Sequence, residues 1–83
     1  MERVIVTAAD LKSVGYNGRN SDLELEFRDG SVLLYLGVPA PTWIALMNTE
    51  DKDGYYARHI KDVHICRKVK APSSVDKNHL SEG

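Results

Sequence analysis

The residues best suited to chemistry lie together near the C-terminal end of the chain. Between positions 55 and 70 stand Arg58, Lys61, Arg67, Lys68 and Lys70 against one acid, Asp62. That segment carries +4, and since the whole chain carries −1, the remainder carries −5. Clustered guanidinium and ammonium groups attract phosphate, because each neutralised phosphate releases condensed counterion. Tyr55 and Tyr56 open the segment and have rings that can stack on bases or pack against Arg58. A competing explanation is a solvated edge strand whose lysines discourage sheet-to-sheet pairing.

Other reactive types give weaker constellations. His59, His64 and Cys66 are zinc-ligand types. However, the first falls on a helical stretch and the other two on a strand, with no fourth ligand close by. Surface histidines and a buried structural cysteine account for them. A Cys–His nucleophile pair would lack an oxyanion hole and an orienting carboxylate. Glu50-Asp-Lys-Asp53 is too short for an EF-hand calcium loop, which takes about twelve residues, and reads as a solvated acidic loop. Trp43 stands at helical spacing with Met47, the usual signature of core, with an exposed partner hot spot as the other reading. No catalytic set emerges, no metal or cofactor is expected, and the chain is expected not to be an enzyme.

The elements that must position these residues follow from the apolar pattern. Ser31-Val-Leu-Leu-Tyr-Leu-Gly-Val-Pro39 is the longest apolar run and has strand composition. Before it, Asp22-Leu-Glu-Leu-Glu-Phe27 alternates strictly, which gives one buried and one wet face. Asp29-Gly30 turns the chain between them into an antiparallel hairpin. A two-residue loop would put Val32, Leu34 and Leu36 on the Leu25 face. A three-residue loop, Arg28-Asp29-Gly30, would put Leu33 and Tyr35 there instead, because one residue of slip inverts every facing. Glycine at the third position favours the longer loop. Val32, Leu34 and Leu36 then form an apolar row beside Glu24 and Glu26, a candidate surface for a partner. Leu11–Tyr16 reads as another strand, and Val4–Val6 as a first strand or a lead-in. Pro41 suits a first helical turn, continued by Thr42–Met47. A polar loop at Asn48–Gly54 leads to a short helix over Tyr55–Lys61 and a last strand over Val63–Val69. The expected order is β-β-β-α-α-β, an α+β domain over residues 1–70, with a disordered tail over 71–83.

Length and composition narrow the class. An 83-residue chain forms one domain, which buries roughly 60–65% of its unfolded surface and has no room for a deep active site. The single cysteine excludes an intramolecular disulfide and fits a reducing cytoplasm. The N-terminus lacks the pattern of a signal peptide, and no apolar run reaches the ~18 residues of a membrane span.

Several segments resemble the KTSC domain, a family named for its place at the C-terminus of some lysyl-tRNA synthetases and also found as short bacterial or phage proteins. The matching pieces are Val14-Gly-Tyr16, Leu23–Phe27, Gly30 with Tyr35 and Val38-Pro39, the Trp43 and Leu46 pair, and Tyr55-Tyr-Ala-Arg-His-Ile60. The chain departs from the family in having Leu33-Leu34-Tyr35 for Tyr-x-Tyr, Ala8-Ala9 for a serine pair and Ala57 for an asparagine. The resemblance implies RNA binding. Together with the basic segment, it makes RNA or a nucleotide-like phosphate ligand the expected partner, held by Arg58, Lys61, Arg67, Lys68, Tyr55 and Tyr56. The alternative is a protein-interaction module, such as a phage accessory protein that blocks a host factor. It would meet a protein partner or a second copy through Val32, Leu34, Leu36 and Trp43.

Overall fold

Alternating apolar residues and one tight turn build the sheet. The structure, a computed structural model, describes residues 2–71. Five strands lie in sequence order, β1 (Arg3–Ile5), β2 (Leu11–Asn17), β3 (Asp22–Phe27), β4 (Val32–Leu36) and β5 (Ile65–Lys70), each antiparallel to its neighbour. Between β4 and β5 the chain makes two helices, α1 (Ala40–Asn48) and α2 (Lys52–His59). The α+β class holds, with four strands before the helices because Arg3–Ile5 pairs with Ser13–Gly15. No helix among the described residues is long and apolar enough to cross a membrane.

The hairpin takes the three-residue loop. Leu23 faces Tyr35, Leu25 faces Leu33, and Glu26 faces Val32. Gly30 sits at φ 93°, where a side chain would be strained. Its amide donates to the Phe27 carbonyl at 2.9 Å, and the Phe27 amide donates to Ser31 at 2.8 Å. The Asp29 carboxylate accepts from both the amide and the hydroxyl of Ser31.

Leu11, Val14, Leu23, Leu25 and Tyr35 therefore share one face, covered by Leu46 of α1 and by Ile60, which follows the end of α2. Among the described residues the other face carries no helix. Its polar side is a network: Arg3 reaches Glu24 at 3.0 Å and Glu26 at 3.4 Å, and Lys12 reaches Glu26 at 3.8 Å. The buried Ser13 hydroxyl donates to Glu26 at 2.8 Å.

Two boundaries and one register differ from expectation. Helix α2 begins at Lys52, so the supposed polar loop at Asn48–Gly54 already contains its first turn. Asp51 caps the helix by accepting from the Gly54 amide at 3.1 Å. A Cβ at position 54 would lie 2.2 Å from Asp51 Oδ2, so glycine here admits the cap. The last strand begins at Ile65, not Val63, because the amides of Val63 and His64 close a turn on the Ile60 carbonyl. Strand β5 also bulges: Val32 pairs with Lys70 and Leu33 with Lys68, so Val69 drops out of the alternation. The expected tail falls almost wholly outside the described residues.

The Glu26 carboxyl is held below its ordinary range, first by the Ser13 hydroxyl and then by Lys12 and Arg3. A depressed carboxylate stabilises the fold above its unfolded pKa and loses that contribution as pH falls through the folded value. Ser13→Ala should therefore cost about 1–3 kcal/mol at neutral pH. The gap to the native protein should narrow on acidification through the carboxylate range, as urea melts at each pH would show.

Candidate nucleic-acid interface

Helix α2 is polar, and none of its residues is fully buried. It is tied down at both ends. At its start, Asp53 Oδ2 accepts from the amides of Ala9 and Asp10 at 3.0 and 3.1 Å, and Oδ1 from the Leu11 amide at 3.2 Å. The acidic segment read as solvated loop is in this respect a structural clamp on the start of β2. Lys52 also donates to the carbonyls of Met47 and Thr49, which closes the end of α1. Farther along, the Tyr56 hydroxyl meets the Tyr35 hydroxyl at 2.5 Å. Burial raises the pKa of both phenols, and for Tyr35 the bonds to Tyr56 and Cys66 raise it further. Both therefore stay protonated at neutral pH.

A cleft of about 300 Å³ opens between α2 and the β3–β4 turn. Phe27, Tyr56 and Ala57 line it with Arg28 and Lys61, and Asp10, Asp29 and Asp53 complete the wall. Phe27 meets Tyr56 edge to face at 5.5 Å between centroids. Arg28 is anchored by Nε to the Ala8 carbonyl at 2.8 Å and by a longer contact to Val6. The sequence reading overlooked Phe27, Arg28 and Asp53. In the sequence Phe27 marks only the end of a buried row, and the Asp53 partners lie more than forty residues away.

The expected cations do not form one patch. Lys61 lines the cleft. Lys68 faces Leu33 across the ladder and so stands on the helix-bearing side, whereas Arg67 faces Leu34 and stands on the open side with Lys70. Arg58 pairs with Asp51 at 3.8 Å, and both side chains are well exposed. No ion pair involves Lys61, Arg67, Lys68 or Lys70 among the described residues. Tyr55 packs on His59 with ring centroids 4.4 Å apart. Tyr56 commits its hydroxyl to Tyr35 and exposes only part of its ring, towards the cleft.

Two candidates for a partner surface are corrected. Val32 is on the open face but only 4% exposed, because on its rung it lies between the long side chains of Glu26 and Lys70. Trp43 is half-buried and stacks on Tyr16 at 4.7 Å and 8°, with the Tyr16 hydroxyl donating to the Val38 carbonyl at 2.6 Å. Leu34 and Leu36 are partly buried on the open face. Cys66, expected to be buried, is exposed on the edge strand β5, on the side that faces Tyr35. His, Cys, Asp and Glu side chains make no metal-holding group among the described residues.

Comparison with known proteins agrees with this architecture. The model of the KTSC domain matches residues 8–64. An uncharacterized protein of Stutzerimonas stutzeri (strain A1501) is 30% identical over 64 residues, which cover 77% of this chain and 90% of that protein. The crystal structure of a KTSC domain protein from Yersinia pestis is similar with a TM-score of 0.80 and 32% identity, over 82% of this chain and 96% of that one.

Removing the clamp should loosen α2. Asp53→Ala leaves three backbone amides without their acceptor, at a cost of about 1–3 kcal/mol. A domain of this size should then melt several degrees lower, and amide exchange at Ala9–Leu11 should speed up before exchange in β3 does.

Proposed function

The chain belongs to the KTSC domain family, and on that premise we propose that it is a small, non-enzymatic binding module for RNA or a nucleotide-like phosphate ligand. The observation that carries this reading is the cleft, where Tyr56 and Lys61 meet Phe27 and Arg28 on the side of the sheet that also bears Lys68. Its volume of about 300 Å³ is at the small end of ligand pockets, which suits one base better than a larger ligand.

The chemistry of the walls assigns the parts. Aromatic edges and Ala57 accept a flat base. The Asp10 carboxylate offers an acceptor to an exocyclic amino group. Three aspartates in the lining disfavour a phosphate deep inside, so the phosphates stay at the rim, where Lys61 stands, with Lys68 farther along the same side of the sheet. Phosphate contact by unpaired lysines favours a strand of RNA with its base inserted and its backbone outside, held by counterion release.

Binding of a single-stranded RNA oligomer, followed by fluorescence anisotropy, should weaken as salt rises. Lys61→Ala with Lys68→Ala should lower affinity about tenfold or more and reduce the log–log salt slope by about 1.4, or 0.7 per lost contact. Arg67→Ala, on the opposite face, should change little. Absence of binding to both the oligomer and a nucleoside monophosphate at low salt would sink the reading. An Arg67 effect equal to that of Lys68 would instead mean a general basic edge.

A further inference from the structure

The helix-free face of the sheet carries a charge order that repeats on two neighbouring rungs. On one rung Glu24, Leu34 and Arg67 lie side by side across β3, β4 and β5; on the next, Glu26, Val32 and Lys70 do. Across β3, β4 and β5 each rung reads acid, apolar, base, and Arg3 and Lys12 approach the acids from the β1–β2 side. Partly buried Leu34 and Leu36 form the middle of the face, and Ile65, 72% exposed, stands at its margin beside Leu36. At the other margin Ile5 is 80% exposed and pairs with Ser13. Apolar groups left in water beside a segregated charge pattern are the mark of a surface that meets another protein.

We propose that this face is covered by a second copy of the chain, with β4 of one copy lying along β4 of the other about a two-fold axis parallel to the strands. Charge selects this arrangement among three. Pairing two β5 edges would set Arg67, Lys68 and Lys70 against their own equivalents. Stacking the faces about a two-fold perpendicular to the strands would place acids on acids and bases on bases. The two-fold along β4 preserves the level of each rung and exchanges β3 with β5. Glu24 then faces Arg67 of the other copy, Glu26 faces Lys70, and Leu34 meets Leu34. A two-fold contact makes each pair twice, so four acid–base pairs surround one apolar seam. Two sheets stacked nearly aligned are an ordinary packing.

The contact is small. Three strands at about 4.8 Å spacing, each about five residues at about 3.4 Å, give a flat footprint of about 250 Å² per copy. A standard interface takes about 800 Å² per partner. Self-association is therefore weak, with a dissociation constant between about 10 µM and about 1 mM. The inference is independent of the nucleotide reading, because the cleft, Lys61 and Lys68 lie on the opposite side of the sheet.

Sedimentation equilibrium of the nuclease-treated full chain, from about 10 µM to about 1 mM, tests it. The native protein should pass from monomer to dimer in that range, and the dissociation constant should rise with salt. Arg67→Glu with Lys70→Glu should remain monomeric throughout. It should stay folded and melt within a few degrees of the native protein, because both side chains are exposed and make no ion pair among the described residues, and only the cover of Lys70 over Val32 is changed. Mixing that variant with Glu24→Lys/Glu26→Lys should restore a dimer of unlike chains. The second variant loses the Arg3 and Lys12 pairs; if it does not fold, the first variant and the salt series decide alone. A native protein that stays monomeric at the highest concentration, or a β5 variant that dimerises like the native chain, overturns the proposal.

Discussion

Everything on both sides of the sheet depends on the register of the β3–β4 hairpin. Gly30 at φ 93° closes a three-residue loop, and the Asp29–Ser31 bonds leave little freedom to slide. A slip of one residue would turn Leu34 inward and bring Leu33 and Tyr35 out. Tyr35 would then lose Tyr56, and α2 would lose its seat over the sheet. The same slip would break the acid–apolar–base rungs of the open face. One glycine thus governs which residues are core, which line the cleft and which remain in water.

The second dependence is polar. Helix α2 buries too little apolar surface to dock by the hydrophobic effect alone, since none of its residues is fully buried. Ile60, just beyond its end, is fully buried, and Tyr56 contributes a ring and a hydroxyl. The Asp53 carboxylate contributes three backbone hydrogen bonds to a segment remote in sequence. A carboxylate accepting several amides is a strong, directional tie. It holds the helix while leaving Tyr56 partly accessible, and this partial burial is what makes a cleft beside the helix instead of a filled core.

The strict alternation of Leu23, Leu25 and Phe27 made β3 legible, and Gly30 made the hairpin legible, because both signals are local. Pro41 likewise marked the start of α1. Other features were hidden for physical reasons. Arg3–Ile5 is too short to show a period and is a strand only because β2 offers it a ladder. Asp51-Lys-Asp-Gly54 has turn composition, yet the glycine is there to admit a capping carboxylate. The bulge at Val69 cannot be seen in an alternating string, although it decides where Lys70 stands. The clamp made by Asp53 joins residues so far apart that no window of sequence contains both ends.

The basic segment shows most clearly how folding redistributes a sequence signal. Arg67 and Lys68 are neighbours in the chain, so a charge count treats them as one patch. A strand places consecutive side chains on opposite faces, and the ladder sends Lys68 to the helix side and Arg67 to the open side. One run of positive charge thus becomes two smaller fields about a sheet thickness apart. On the helix side the field borders a cleft with aromatic walls. On the open side it lies one strand away from two carboxylates at the same levels. Along the edge itself, like charges oppose the addition of an identical strand, which protects an exposed β5 from uncontrolled pairing. The edge is thereby closed to identical strands, while each face keeps its own share of the charge.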